Sequence, residues 1–226
     1  LPLILCIGTM MEYLEKNWDG ESYIIYFIVQ GAGDCRLGQY PVLMRDLIRR
    51  KKIKNVVPMA LAQENGFAGL GENFSKNAAL SLMIANVMDD IRSAILANSK
   101  DPKQGEIIFN EEFKVFEDNL VINNTKVFKN LEIFSNNIKN KIPIKTPLKE
   151  SKYIALLGEM YVRHDRFANK YLSYYFAERG FIVKTATILE WLFYLDYLMK
   201  KNIMQPDKSI KDSKERIIRS SYMKYA

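Results

Sequence analysis

The sequence predicts an α/β domain built on a parallel sheet. Three observations carry that expectation. Short, β-prone apolar runs at 23–29, 56–61, 153–157 and 181–185 alternate with longer segments whose apolar residues recur at helical spacing. The run at 23–29, Tyr-Ile-Ile-Tyr-Phe-Ile-Val, is apolar throughout, as a strand covered on both faces should be. Glycine-containing loops follow the strand runs at 31–38, 63–71 and from Gly158, where ligands bind in open α/β sheets.

The elements follow in order. Residues 3–16 read as a helix with Leu3, Ile7, Met10, Met11 and Leu14 on one face and Glu12, Glu15 and Lys16 on the other. A polar turn at 17–22 leads into the first strand. Residues 40–51 form the next helix, with Pro41 in its first turn, where a missing N–H costs nothing. The second strand, 56–61, contains Pro58, which marks a sheet edge. Residues 73–97 are a long helix whose apolar face is Leu80, Ile84, Val87, Met88, Ile91 and Ile95. The segment 99–105 breaks it. Phe113, Phe116, Leu120, Val127, Phe128, Leu131 and Phe134 make 110–139 one helix, or two divided at Asn123-Asn124. An extended linker with two prolines, 142–147, precedes the third strand. A helix at 165–179 stops at Gly180, and the fourth strand follows. Residues 188–201 are a strongly apolar helix with Trp191, Phe193, Tyr194 and Tyr197, and 209–225 a charged final helix after Pro206. The result is a flavodoxin-like parallel four-stranded sheet flanked by helices, with a helical insertion at about 73–140 between strands two and three. Residues 1–200 form the domain and 201–226 a linker or helix.

Composition narrows the function. The 226 residues begin at Leu1, not Met, and are expected to be a piece of a longer protein. A hydrophobic content of 48% is ample for a core. The 33 Lys and Arg against 26 Asp and Glu give a net charge of +7, but they are spread along the chain without a nucleic-acid-binding signature, so no nucleic acid partner is expected. No apolar run reaches the roughly 18 residues of a membrane span, and 1–7 lacks a signal peptide's basic leader. Two cysteines, Cys6 and Cys35, are no disulfide framework and point to a reducing cytoplasm. There is no P-loop, no C-x-x-C and no G-x-G-x-x-G opening a helix.

The stretch Gly31 to Tyr40 organises the candidate site. Cys35 sits there in a glycine-rich turn between a strand's end and a helix's start. Helix N–H groups favour negative charge at that point, and Arg36 adds to it, so a thiolate is stabilised. An idle cysteine in an ordinary loop is the alternative.

Gly33-Asp34-Cys35-Arg36-Leu37-Gly38-Gln39-Tyr40 resembles the G-P-C-R-F-G-x-Y signature of the 2-hydroxyacyl-CoA dehydratase and benzoyl-CoA reductase group, with Asp34 for Pro and Leu37 for Phe. It is closest to the dehydratase-like region of the large CoA-substrate-specific enzyme activases. Leu1-Pro2-Leu3-Ile4-Leu5-Cys6-Ile7-Gly8 is similar to the group's C-x-P-x-x-x-x-x-G motif, whose cysteine would fall just before Leu1. Gly158-Glu159-Met160-Tyr161-Val162-Arg163 with Phe167-Ala168-Asn169 resembles G-E-x-Y-V-R-x-x-P-F-A-N, Arg166 replacing Pro, and Glu190-Trp191-Leu192 resembles E-W-L.

The resemblance implies that Cys35 ligates a [4Fe-4S] cluster and that the protein belongs to an ATP-driven, low-potential electron-transfer system acting on acyl-CoA. Upstream ATPase and dehydratase-like domains of the same protein would be its partners. Gly33, Arg36, Gly38, Tyr40, Glu159, Tyr161, Arg163 and Asn169 are candidates for shaping the site or contacting substrate; the alternative for Arg163 and Asn169 is that they fasten loops. Cys6 reads as a small buried thiol and His164 as a polar residue near a helix start. Since such a cluster takes about three or four thiolates, the chain is not expected to hold one unaided. A cluster-free scaffold or interaction domain is the alternative function; a flavin-binding module is a third.

Overall fold

Alternation of side chains decides how the first strand is buried. In β1 (Ile24–Val29), Ile24, Tyr26 and Ile28 point to a core, while Ile25 and Phe27 on the other face stay 57% and 60% exposed. An apolar run thus forms a strand covered on one face of its own unit, not on two as the sequence suggested. The structure, a computed structural model, describes residues 2–30, 36–61, 69–122 and 126–203. It divides into two units, Leu1–Ser81 with Leu192–Ala226, and Leu82–Trp191.

In the first unit α1 (Pro2–Asn17) precedes β1, and a short 3-10 turn (Arg36–Gln39) leads into α2 (Tyr40–Arg50) and β2 (Val56–Leu61). β1 and β2 pair in parallel, Ile24 opposite Val56 and Val29 opposite Leu61. Pro41 stands in the first turn of α2, and Pro58 lies on a strand whose one partner among the described residues is β1. Met10 and Leu14 of α1, Ile48 of α2 and Val56 form one core cluster; Ile28, Met44 and Ala60 form a second, flanked by Cys6, Ile7 and Tyr40. Met10 is 1% and Met44 0% exposed, and burying each such side chain contributes about 1.5–3 kcal/mol.

The second unit takes up α3 (Gly71–Asn98) from Leu82 onward and α8 (Ile188–Lys200) as far as Trp191. Between them run α4 (Pro102–Ile122), α5 (Val127–Lys141), β3 (Lys152–Leu156), α6 (Met160–His164), α7 (Leu172–Ala177) and β4 (Phe181–Thr185). The phenylalanines of α4 and α5 pack on one another: Phe109 and Phe134 meet edge to face at 5.8 Å, Phe116 and Phe134 at 5.9 Å. The α3–α4 break is shorter than expected, because Asp101 caps α4 by accepting from the Gln104 N–H at 3.0 Å. Asn98 then ties the linker down, bonding the carbonyl of Thr146 at 2.5 Å and accepting from its N–H at 3.0 Å. The Asn123-Asn124 break point lies outside the described residues, as do 204–226 and with them the expected final helix.

β3 and β4 pair in parallel, Lys152 opposite Phe181. Among the described residues β1 pairs with β2 and β3 with β4, so the fold is mixed α/β with parallel pairing within each unit. The helix expected at 165–179 forms only over Leu172–Ala177, and a separate short helix, α6, ends before that range begins. Asp165 is extended, its carboxylate accepts from the Ala168 N–H at 2.6 Å, and Lys170 and Tyr171 take left-handed φ of 55° and 56° before α7 begins. Gly180, at φ 77°, marks the end of α7 as its sequence position predicts.

Candidate functional site

Two regions carry the sequence-derived candidates. In the first unit, Arg36 and Gly38 lie in the 3-10 turn and Tyr40 opens α2, its ring packed against the Ile28, Met44 and Ala60 cluster. The parallel register sets the end of β1 beside the end of β2, so the connections that leave both strands start from one edge. Gly33 and Cys35 lie outside the described residues. Cys6 is partly buried on α1, and its carbonyl accepts from the Tyr26 hydroxyl at 3.1 Å. An open groove beside this turn is lined by Leu3, Gln39, Val42, Leu43, Arg45, Asp46 and Arg49. Asp46 is paired there with Arg49 at 2.7 Å and Arg50 at 2.6 Å, exposed bridges that contribute little.

The second region is a cavity of about 70 Å³ in the second unit. The strand β3 ends at Leu156, and Gly158 turns the chain at φ 130°, a conformation that an L side chain rarely adopts. Glu159 then caps α6, its carboxylate accepting from the Val162 N–H at 2.8 Å. Arg163 donates through Nη1 to the Gly158 carbonyl at 2.7 Å and through Nη2 to the Thr187 carbonyl at 3.3 Å. Asn169 donates to the Arg163 carbonyl at 3.0 Å and accepts from the Leu172 N–H at 3.2 Å. Glu159, Arg163 and Asn169 therefore hold the loops together. Arg163 and Asn169 also line the cavity; Glu159 and Tyr161 do not.

The opposite wall comes from α3 through Asn86, Asp89, Asp90, Arg92 and Ser93. Ser93 accepts from the Val183 N–H of β4 at 2.8 Å, and Asp90 is paired with Lys184. Arg92 pairs with Glu106 through Nη2 and Nε, and Tyr174 donates to the same carboxylate at 2.9 Å. Arg166 donates to the Tyr174 hydroxyl at 3.3 Å and stacks 5.6 Å over its ring.

These contacts set the charges. Burial pushes the Glu106 carboxyl up, but the hydrogen bonds from Arg92 and Tyr174 and the Arg92 charge outweigh it and hold the group below the usual carboxylate range. Burial raises Asp89 against the pull of His164, Arg166 and Arg92; its carboxyl is hemmed in although the residue as a whole is exposed. Burial and the neighbouring Arg163 lower His164, with Asp89 and the Ala186 main chain opposing. Asn86, Arg163 and His164 line this cavity, and their Nδ2, Nε and Nε2 atoms are buried with no hydrogen-bond partner among the described residues.

No protein-family model matches the chain, and neither the curated proteins nor the solved structures include a significant match. Its residues alone therefore carry the functional argument. A [4Fe-4S] cluster takes about four thiolates, and the chain contains two cysteines. Among the described residues, no group of three or more His, Cys, Asp or Glu side chains is arranged to hold a metal ion.

Sequence reasoning missed Asn86, Asp89, Arg92 and Ser93. The signal is present: Asn86, Asp89, Asp90 and Ser93 recur at spacings of three and four, a polar stripe on a helix that also carries an apolar one.

Proposed function

We propose that the chain is a dehydratase-like domain of a CoA-substrate-specific enzyme activase, a part of an ATP-driven system that reduces or dehydrates acyl-CoA thioesters. The observation that supports this reading is the β1–α2–β2 unit. Parallel strands enclose a helix that begins five residues after the signature cysteine, with Pro41 in its first turn. In this reading Cys35 supplies one thiolate to a [4Fe-4S] cluster, and the remaining ligands come from outside the chain. The ATPase and further dehydratase-like domains are its partners, the cytoplasm is its compartment, and neither nucleic acid nor membrane takes part. No helix among the described residues is long and apolar enough to cross a membrane. The flavodoxin-like four-stranded sheet belongs to the same proposal: it requires both strand pairs to share one sheet.

The donor count favours a second reading, a scaffold or interaction domain that keeps the fold without the cluster. One experiment separates the two. A longer polypeptide that includes the preceding domain is reconstituted anaerobically with iron and sulfide, with Cys35→Ala alongside. About four irons per chain and an EPR signal on reduction, both lost in the variant, support the first reading. An iron-free long polypeptide sinks it and leaves the scaffold.

A further inference from the structure

The cavity of the second unit has more hydrogen-bonding capacity than its own residues use. Asn86, Arg163 and His164 line it, and their Nδ2, Nε and Nε2 atoms are buried without partners among the described residues, an arrangement natural folds seldom leave unanswered. Among the described residues, two of its guanidiniums lack a carboxylate within ion-pair distance. Arg163 spends its Nη atoms on the carbonyls of Gly158 and Thr187, and Arg166 spends Nη1 on a tyrosine hydroxyl. Arg92, by contrast, is matched by Glu106, and Lys184 by Asp90.

An amide N–H and an Arg Nε–H only donate, so their complement is an acceptor, and the unmatched guanidinium charge makes it an anion. The volume of about 70 Å³ admits a small ion or the terminal group of a larger molecule. His164 selects among anions. Its other ring nitrogen faces the Ala186 main chain, which leaves Nε2 of the neutral imidazole as an acceptor. A hydrogen phosphate carries both the accepting oxygens and one O–H to donate there; a carboxylate lacks that proton. Asp89, facing Asp90, Arg92, His164 and Arg166, adds a like charge that repels a fully ionised guest more than one that keeps a proton.

We propose that Asn86, Arg163, His164 and Arg166 form a binding site for a singly protonated phosphate group. Every residue of the site lies in one unit, so the proposal stands independently of the cluster reading.

Inorganic phosphate is titrated into the full 226-residue chain at pH 6 and pH 8 at constant ionic strength, with acetate as control, and followed by calorimetry and imidazole NMR. His164 is the only histidine, so its ring resonances report the site without assignment by mutation. The expected result is saturable one-to-one binding of phosphate that shifts the His164 resonances and persists at pH 8, where inorganic phosphate is predominantly the singly protonated dianion. Asn86→Ala and Arg166→Gln should each weaken it about tenfold or more with unchanged circular dichroism. Unmoved His164 resonances in the unaltered chain overturn the proposal, whatever the variants do. So does binding that both variants retain, and acetate binding as tightly as phosphate overturns the assignment to phosphate.

Discussion

Arg163 and Gly158 form a closed turn: the guanidinium Nη1 donates to the glycine carbonyl 2.7 Å away, across the first turn of α6. The pair explains why a glycine and an arginine belong together here. Only a residue at ease at φ 130° aims its carbonyl at the guanidinium, and a Cβ at Gly158 would meet nothing within 4 Å. The constraint is conformational, not steric. Gly158→Ala should destabilise the protein by about 1–2 kcal/mol despite the open space. Arg163→Met, which loses two hydrogen bonds from a charged donor, should cost about 2 kcal/mol or more. Urea unfolding of both variants measures this; an unchanged Gly158→Ala midpoint would contradict the assignment of strain.

Thr187 and Glu190 cap the start of α8 reciprocally. The Thr187 hydroxyl accepts from the Glu190 N–H at 3.1 Å, and the Glu190 carboxylate accepts from the Thr187 N–H at 3.1 Å. This gives the Glu190 of the E-W-L stretch a structural task that needs no substrate. Thr187→Ala should cost about 1 kcal/mol, and Thr187→Ser should restore most of it. Thermal melts of the two variants test the claim, and equal melting temperatures would refute it.

Stability should fall in two steps as pH is lowered. His164 has a folded pKa below its unfolded one, so its contribution is intact above the unfolded value near 6.5 and is lost as pH falls through that range toward the folded value. Glu106 has a depressed folded pKa, so its contribution is present above the unfolded value near 4.3 and disappears as pH falls through the lower folded one. Asp89, raised by burial, works against the second step, since its folded form takes up a proton first. His164→Gln should flatten the curve between about pH 7 and 5, and Glu106→Gln should flatten it below about pH 4.5. Chemical unfolding across pH resolves the two; coincident curves for His164→Gln and the unaltered chain would remove His164 from the account.

How far the fold was legible in the sequence depended on whether local signals agreed with packing. The strands at 56–61 and 181–185, the helix begun by Pro41 and the stop at Gly180 were legible because period, turn residue and helix end coincided. The helix expected at 165–179 was misread because apolar spacing continues through Phe167 and Leu172, while Asp165 and Asn169 bond the backbone and break the helix between them. The one-sided burial of Ile25 and Phe27 was hidden for a different reason: an apolar run records β preference, not which face finds a cover. In the site, the motif around Gly158 points to Arg163 and Asn169, and fastening loops is one of the roles their residue types allow. The α3 wall is not legible there, because Asn86 and Arg92 come to one cavity with Arg163 only through a long-range fold that no spacing rule encodes.

Gly105 offers a test of packing between α3 and α4. It stands in the first turn of α4, where its N–H bonds the Asp101 carbonyl at 2.9 Å. Replacing a helical glycine by alanine normally gains about 1 kcal/mol. Here an added Cβ would lie 2.8 Å from Ile95 Cγ2 and 3.1 Å from Ser99 Oγ. Ser99 is fully buried and Ile95 only 5% exposed, so neither has room to withdraw. Overpacking of this kind costs about 1–3 kcal/mol, which exceeds the gain in helix propensity. Gly105→Ala should therefore lower stability by about 1 kcal/mol, and Ile95→Val, which keeps both γ-carbons, should not relieve it, whereas Ile95→Ala should make the two changes partly compensatory. A double-mutant cycle by urea unfolding measures the coupling. Strict additivity of Gly105→Ala and Ile95→Ala would mean that the two residues do not meet as described.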